Sequence, residues 1–346
     1  MCPYPNLGSE RVKGEPSGSL ATPHRTEDSR ERSTISEGDR KPQTLVRARE
    51  STPVAAIEPG LVYAAASAVM LGVYTFFIKR YVAHYPATVY VALTYLCSLV
   101  WYVPVALVTV DGAYVPTGAG PETLGALALV VIGSSLAVLA SFHAISLGDV
   151  SYVAPISKLI PVFVVPVEVL FLQQHLTPLQ LAGVVIATAA VYVANYEPGR
   201  LVEPLKQAAR SRPAQFALAS AAAFGVTDVG KRFLTQELAV APETVNLALF
   251  VGLPVALAPL ALGRVPAGVR DDAGIFVGLG LLLAVAEHLV MLAFSTLPAS
   301  LASPVINSSA VVTVVLGGVV LGEEAMRIRL AAAGFAIAGV TLISLG

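Results

Sequence analysis

Charge is what this sequence has least of. Lys, Arg, Asp and Glu make up 13% of its 346 residues, about half the share of an ordinary soluble domain. The shortage is uneven: the first 59 residues hold nine basic and nine acidic side chains, and the 287 that follow hold only 13 and 14. Cysteine is almost missing as well. Cys2 and Cys97 are too few for a disulfide framework or a thiolate cluster, so no metal is expected and Cys97 reads as a packing residue. There is no basic stripe, and the net charge of −1 points away from nucleic acid. Phosphate loops, paired metal motifs and cofactor fingerprints are absent too, so neither a cofactor nor an enzyme is expected. The nearest catalytic pattern, "GSSLAVLASFH" over 133–143, lacks the glycine a serine nucleophile needs after it.

What is present is apolar sequence in long runs, 55% of the chain and a mean hydropathy of +0.72. Residues 1–57 stand apart as a hydrophilic tail rich in Ser, Pro, Gly, Arg and Glu. The tail cannot bury enough apolar surface to offset its ordering entropy and is expected to be disordered. With no apolar h-region after its start, it does not read as a secretory signal. From Gly60 onward ten apolar runs follow: 60–80, 86–109, 122–147, 150–173, 177–195, 213–234, 242–262, 273–297, 299–321 and 327–345. Each is about long enough to cross a ~30 Å hydrocarbon core as a helix. The runs lack the alternation of a barrel strand, so the fold class is all-α integral membrane.

The membrane body repeats itself. "YPATVYVAL" (85–93) matches "APETVNLAL" (241–249), and "GVYTFFIKR" (72–80) matches "GVTDVGKR" (225–232) with one residue deleted. "SYVAPISKLIPVFVV" (151–165) aligns with "SLASPVINSSAVVTVV" (300–315), pairing Ser151 with Ser300 and Pro155 with Pro304. Residues 60–195 and 213–345 are therefore two five-helix repeats, joined by a loop over 196–212. Five is odd, so the second repeat enters the membrane from the opposite side. Inverted repeats of this kind mark secondary transporters with a substrate site between the halves.

These elements resemble the ten-helix EamA-type branch of the drug/metabolite transporter superfamily, over about residues 60–345. The likeness rests on the glycine and lysine closing the first helix of each half (Gly72 with Lys79, Gly225 with Lys231) and on the Pro-bearing fourth helix, with Pro155 and Pro161. It rests also on the turn before each last helix, "LGEEAMRIRLAAAG" in the second half and "FLQQHLTPLQLAG" in the first, where Gln174 stands at the usual Glu position. The second-helix arginine of many relatives is absent; Thr94 and Tyr95 lie near its place. The resemblance implies transport of a small molecule, drawn from a range of amino acids, sugar phosphates, nucleotide sugars and drugs.

Ionisable groups at bilayer depth are costly and mark functional pathways by default. Glu287 is the strongest, inside "LLLAVAEHLVMLAF" with its nearest charged neighbours in sequence 15 residues back and 36 forward. It is read as a protonatable coupling acid or the anchor for a cationic group, against the alternative of a structural ion pair. His288 lies beside it. Lys158 aligns with Asn307, so both halves present a polar residue at one internal position, suited to an anionic cargo. The plainer reading has Lys158 neutralise Glu287 or snorkel to the interface. Asp228 with Lys231 reads first as an i,i+3 ion pair and second as a proton relay; His143 is a cavity candidate that reads first as a hydrogen-bonded interhelical residue. Glu168 is expected at the interface. Tyr74, Tyr95, Tyr152 and Trp101 read as packing or interface residues. Gly334 with Gly339, and Ala221 with Gly225, read as close helix contacts.

Loop arginines and lysines gather on the face holding Lys79, Arg80, Arg264 and Arg270, the other loops offering only Lys231 and Arg232. The positive-inside rule then puts the termini outside, whereas the resemblance implies cytoplasmic termini, which is the expectation adopted. The sequence thus reads as a multi-pass protein of the plasma membrane that moves a small metabolite by alternating access, driven by the substrate gradient or by protons at Glu287. Its partners are the small-molecule substrate and the lipid bilayer, with room for a homodimer. A cationic-drug exporter is the main alternative, and a membrane scaffold or receptor the other.

Overall fold

The computed structural model describes residues 58–110, 114–115, 119–148, 153, 156–194, 211–321 and 326–346. Chain contacts divide the protein into Met1–Pro53 and Val54–Gly346, and every described residue belongs to the second unit. The expected tail, residues 196–210 of the inter-repeat loop, the acidic turn at 322–325 and Ser151, Tyr152 and Pro155 lie outside the described residues.

Every described element is a helix. They are α1 (Pro59–Phe77), α2 (Ala87–Thr109), α3 (Pro121–Leu147), α4 (Ile160–Leu172), α5 (Pro178–Ala194), α6 (Arg212–Arg232), α7 (Pro242–Ala261), α8 (Ala273–Thr296), α9 (Ala299–Asn307), α10 (Ser309–Leu321) and α11 (Met326–Leu345). Proline starts α1, α3, α4, α6 and α7 within their first two positions, where its missing N–H costs no bond. Hydroxyls inside the helices bond their own backbone one turn earlier, as Thr94 does to the Tyr90 carbonyl, Ser135 to Val131 and Thr188 to Val184. A polar side chain is thereby satisfied where water cannot reach it.

Helices occupy all ten expected places, but among the described residues six are long and apolar enough to cross a membrane by that measure alone. The shortfall has physical causes. The fourth run is interrupted at Lys158 and Leu159 before α4, because Pro161 has no N–H to donate to the preceding turn. α6 carries Arg212, Asp228, Lys231 and Arg232. The fifth and tenth runs are apolar but fall just short in length. The ninth run, expected as one helix, is long and apolar enough to count among the six, although it is split at Ser308 into α9 and α10, with Pro304 in α9.

The two interruptions occupy equivalent places. A constant offset of 149 residues carries Ser151 to Ser300, and it also carries the Lys158–Leu159 break to Asn307–Ser308. The packing obeys the same offset. A side chain at Gly225 of α6 would strike the Ile160 carbonyl and Phe163 Cβ; one at Gly72 of α1 would strike the Ser309 carbonyl and Val312 Cβ. Both first helices also end in a π-helical turn, Ile78–Val82 and Phe233–Glu237.

Each half is built mainly against the other. α1 packs on α8, α9 and α10, while α6 packs on α3 and α4, and the remaining large contacts pair α2 with α7 and α8, and α5 with α11. The last pair is a close approach, Gly183 facing the Gly339 carbonyl and Gly339 facing the Ala187 backbone. Gly334, expected in the same contact, faces open space, because it lies on the outward side of α11. The core between the halves joins Leu61, Val164, Phe294 and Val305, and an aromatic group around Tyr74, Tyr102, Phe250 and Phe276 fills the other end of the bundle.

Candidate functional site

The short helix α9 organises the polar interior. Ser303, one turn before its end, donates to Asp228 Oδ2 of α6 at 2.9 Å. The other carboxylate oxygen of Asp228 meets Lys231 Nζ at 3.4 Å. Asn307 closes α9 and donates to the Ser303 carbonyl at 2.9 Å and to its hydroxyl at 3.2 Å. Asp228, Lys231, Ser303 and Asn307 are all buried. The expected i,i+3 ion pair is thus present, and it is tied to the interrupted helix through a serine that sequence reasoning did not single out.

Glu287 stands next to this pair. It lies on the buried side of α8, between Leu283 and Met291 one turn either way, yet keeps partial exposure. Its charged neighbours are Lys231 and Asp228, and its charge is felt by Tyr74 of α1 and by Tyr95 and Tyr102 of α2. Among the described residues its carboxylate makes no hydrogen bond or ion pair. Lys158, half-buried at the interruption before α4, does not neutralise it and is in no ion pair among the described residues. The amide of Asn307 is engaged by Ser303, so no bond joins the two aligned polar residues.

His288 turns to a second group. Its Nδ1 lies 2.8 Å from the Tyr102 hydroxyl, which accepts from Asn246 Nδ2 of α7 at 3.0 Å. A phenol that accepts from Asn246 has its own proton for His288. The Asn246 carbonyl oxygen is buried with no partner.

Glu168 corrects the expectation of an interfacial residue. Its side chain has no exposure, because α9 begins on top of it: its two oxygens accept from the backbone N–H of Ala299 and of Ser300, each at 2.7 Å. A carboxylate at a helix N-terminus meets both free N–H donors and the positive end of the helix dipole. Arg232 Nε adds a 3.4 Å ion pair. Arg232 also reaches Gln236, whose amide bonds the Phe294 and Leu297 carbonyls that end α8, at 2.7 and 2.8 Å. One knot therefore ties α4, α6, α8 and α9 together. Lys231 and Arg232, counted in the sequence as loop charges, are buried members of these clusters.

This machinery is one-sided. The 149-residue offset carries Glu168 to Gly317, and the repeat carries Lys231 and Arg232 back to Lys79 and Arg80, which are exposed. His143 belongs to neither cluster. It is exposed near the end of α3, its ring in a T-shaped contact with Phe216 at 4.4 Å, and among the described residues it makes none of the interhelical side-chain hydrogen bonds expected of it. Trp101 is exposed, its indole N–H on the Val277 carbonyl at 3.1 Å. The residues sequence reasoning missed are Arg232, Ser303, Tyr102 and Asn246. One signal was available: Ser303 lies four residues before Asn307, on the same face of a helix.

Comparison with known proteins adds an independent line. A model of the EamA-like transporter family matches residues 58–196 and again 212–345, which are the two halves. No curated protein matches the sequence. A crystal structure described only as that of a protein is similar with a TM-score of 0.68 at 15% identity, over 84% of this chain and 97% of that one. That likeness speaks for the fold alone.

Proposed function

The chain belongs to the EamA-like transporter family, a family of membrane carriers for small molecules, and from that premise we propose a ten-span secondary transporter of the cell membrane working by alternating access. Its cargo is a small metabolite of the amino acid or sugar phosphate kind, bound between the halves beside Glu287, Asp228, Lys231 and Asn307. Glu287 is the coupling acid that exchanges a proton against cargo.

The observation that carries this reading is the Glu287 carboxylate, inward-facing and without a hydrogen bond, beside an Asp228–Lys231 pair that already satisfies itself. A carboxylate at membrane depth with no fixed partner is stable when it can take a proton or a ligand. The paired interruptions at Leu159 and Ser308 support the location, since broken helices in matching positions of two repeats line transporter sites.

A second reading is favoured by the tyrosines. Tyr74, Tyr95 and Tyr102 lie near enough to feel the charge of Glu287, and a carboxylate with aromatic residues in its neighbourhood also suits an organic cation. Proton flux into liposomes, wild type against Glu287→Gln, across amino acids, sugar phosphates and organic cations tests both. A cargo-driven proton signal lost in the variant supports the coupling role. Cargo flux unchanged in the variant overturns it. A signal confined to cations selects the second reading.

A further inference from the structure

Three hollows open along the sides of the helix bundle, and one differs in chemistry from the others. The hollow between α1 and α8 (about 520 Å³) is walled by Met70, Phe77, Tyr81, Leu279 and Val285. The hollow between α1, α10 and α11 (about 430 Å³) is walled largely by valine and alanine. Both suit acyl chains and nothing more. The third, about 650 Å³ between the ends of α3 and α7 and the starts of α2 and α6, combines Leu136, Leu139, Phe142 and Leu260 with Thr88, His143, Ser146 and Arg264. None of those four polar residues takes part in the transport site.

The polar group is unfinished. The Thr88 hydroxyl is buried and has no hydrogen-bond partner among the described residues, which is costly unless something reaches it. Arg264, on the short turn Leu262–Arg264 just past α7, pairs with no carboxylate among the described residues. His143 packs against Phe216 in a T-shaped contact, and among the described residues its two ring nitrogens make no hydrogen bond. The Ser146 hydroxyl donates to the His143 carbonyl at 2.8 Å and keeps its lone pairs open.

The apolar wall is equally specific. Leu136 and Leu260 are 58% and 41% exposed, and they lie deeper along their helices than Ser146 and Arg264. His143 is about one turn from the end of α3, roughly 6 Å in at 1.5 Å per residue, which is the depth of the headgroup boundary. A ligand filling this space carries a negative head at the helix ends and hydrocarbon along the bundle. We propose that the hollow binds an anionic phospholipid, with its phosphate on Arg264 and His143 and its acyl chains along Leu136, Leu139 and Leu260. A zwitterionic headgroup fits less well, because its own cation competes with Arg264 for the phosphate. The site is independent of the cargo reading and requires only that the chain sits in a bilayer.

The test uses the purified full-length protein, stripped of lipid in detergent and titrated with phosphatidylglycerol or phosphatidylcholine, with bound lipid counted by native mass spectrometry. The expected result is one phosphatidylglycerol per chain, held roughly tenfold more tightly than phosphatidylcholine, as a charge-assisted guanidinium–phosphate contact allows. Arg264→Ala should bring phosphatidylglycerol down to the phosphatidylcholine level, while Arg270→Ala, on the same face but outside the hollow, should not. Equal binding of the two lipids by the wild type overturns the proposal and needs no variant. Equal losses in the two arginine variants also overturn it, as diffuse surface charge. Glycerol 3-phosphate binding as tightly as the lipid would overturn the lipid as occupant and make the hollow a site for soluble phosphate.

Discussion

The Arg232 guanidinium stands 3.4 Å from the Glu168 carboxylate, both of them out of reach of solvent. The pair joins the last turn of α6, in the second repeat, to α4, in the first, with the start of α9 resting on the carboxylate.

Removing one member should be far worse than removing both. Glu168→Ala leaves a buried guanidinium, whose Nη1 already has no partner, and strips two backbone N–H groups of their acceptor. Loss of one partner of a buried pair costs about 3–5 kcal/mol, whereas an apolar replacement of both is often nearly neutral. Thermal unfolding in detergent should therefore rank Glu168→Ala and Arg232→Ala well below the Glu168→Met, Arg232→Met double variant. Single variants within about 1 kcal/mol of wild type would show that the pair does not hold this end together.

The same knot should govern access to the start of α9. Ser300 is fully buried beneath Glu168. A Ser300→Cys reporter, with Cys2 and Cys97 replaced, should be unreactive to a membrane-impermeant thiol reagent. Adding Glu168→Gln, which keeps the shape and removes the charge, should raise the labelling rate several-fold. An unchanged rate would mean that the ion pair does not close this end.

Asp228 and Lys231 should behave as a unit. Asp228→Asn and Lys231→Met each leave the partner's charge buried beside Glu287, so each should reduce cargo flux strongly. A double-mutant cycle should show coupling in the range of about 0.5–3 kcal/mol typical of contacting residues. Ser303→Ala, which removes one hydrogen bond to Asp228, should cost about 0.5–1.5 kcal/mol in unfolding free energy. Additive single effects would place Asp228 and Lys231 in separate roles.

Tyr85 offers a check outside the membrane-spanning helices. Its hydroxyl donates to Asp272 Oδ2 at 2.6 Å, and that bond to a carboxylate pushes its pKa up to about 12. The folded chain then holds the proton more tightly than the unfolded chain, where tyrosine ionises near ~10. The stabilisation is complete below about pH 10 and is lost as pH rises towards about 12. The tyrosine ring-carbon resonance of Tyr85 should titrate accordingly, and Asp272→Asn should bring its midpoint back towards ~10. A midpoint near ~10 in the wild type would mean the bond is not formed in solution.

The repeat was legible in the sequence because it is written in residues that touch. Aligning Ser151 with Ser300 puts Ile160 with Ser309 and Phe163 with Val312, and the two glycines on the first helices meet those residues. The Asp228–Lys231 pair was legible because i,i+3 neighbours share a face. Glu168 was misread because depth along a straight helix made it interfacial, whereas the chain lays the start of α9 over it. Arg232 was misread for a related reason: a cation at a helix end looks like a loop charge until another repeat covers it. Tyr102, Asn246 and His288 meet from three helices, and no spacing within one helix announces that. Gly334 shows the converse, a small-residue pattern whose first member faces outward.

The matched contacts of Gly72 and Gly225 bear on how the two end states are weighted. On the alternating-access reading proposed above, two interfaces of matching shape would give two wells of similar depth, since what one gains on closing the other gives up. The Glu168 knot has no counterpart at Gly317, so under that reading it favours the state in which it is closed. A tilt of about 1.4 kcal/mol already makes one state tenfold more populated, which sets the minimum difference in affinity that cargo or a proton must supply to reverse it.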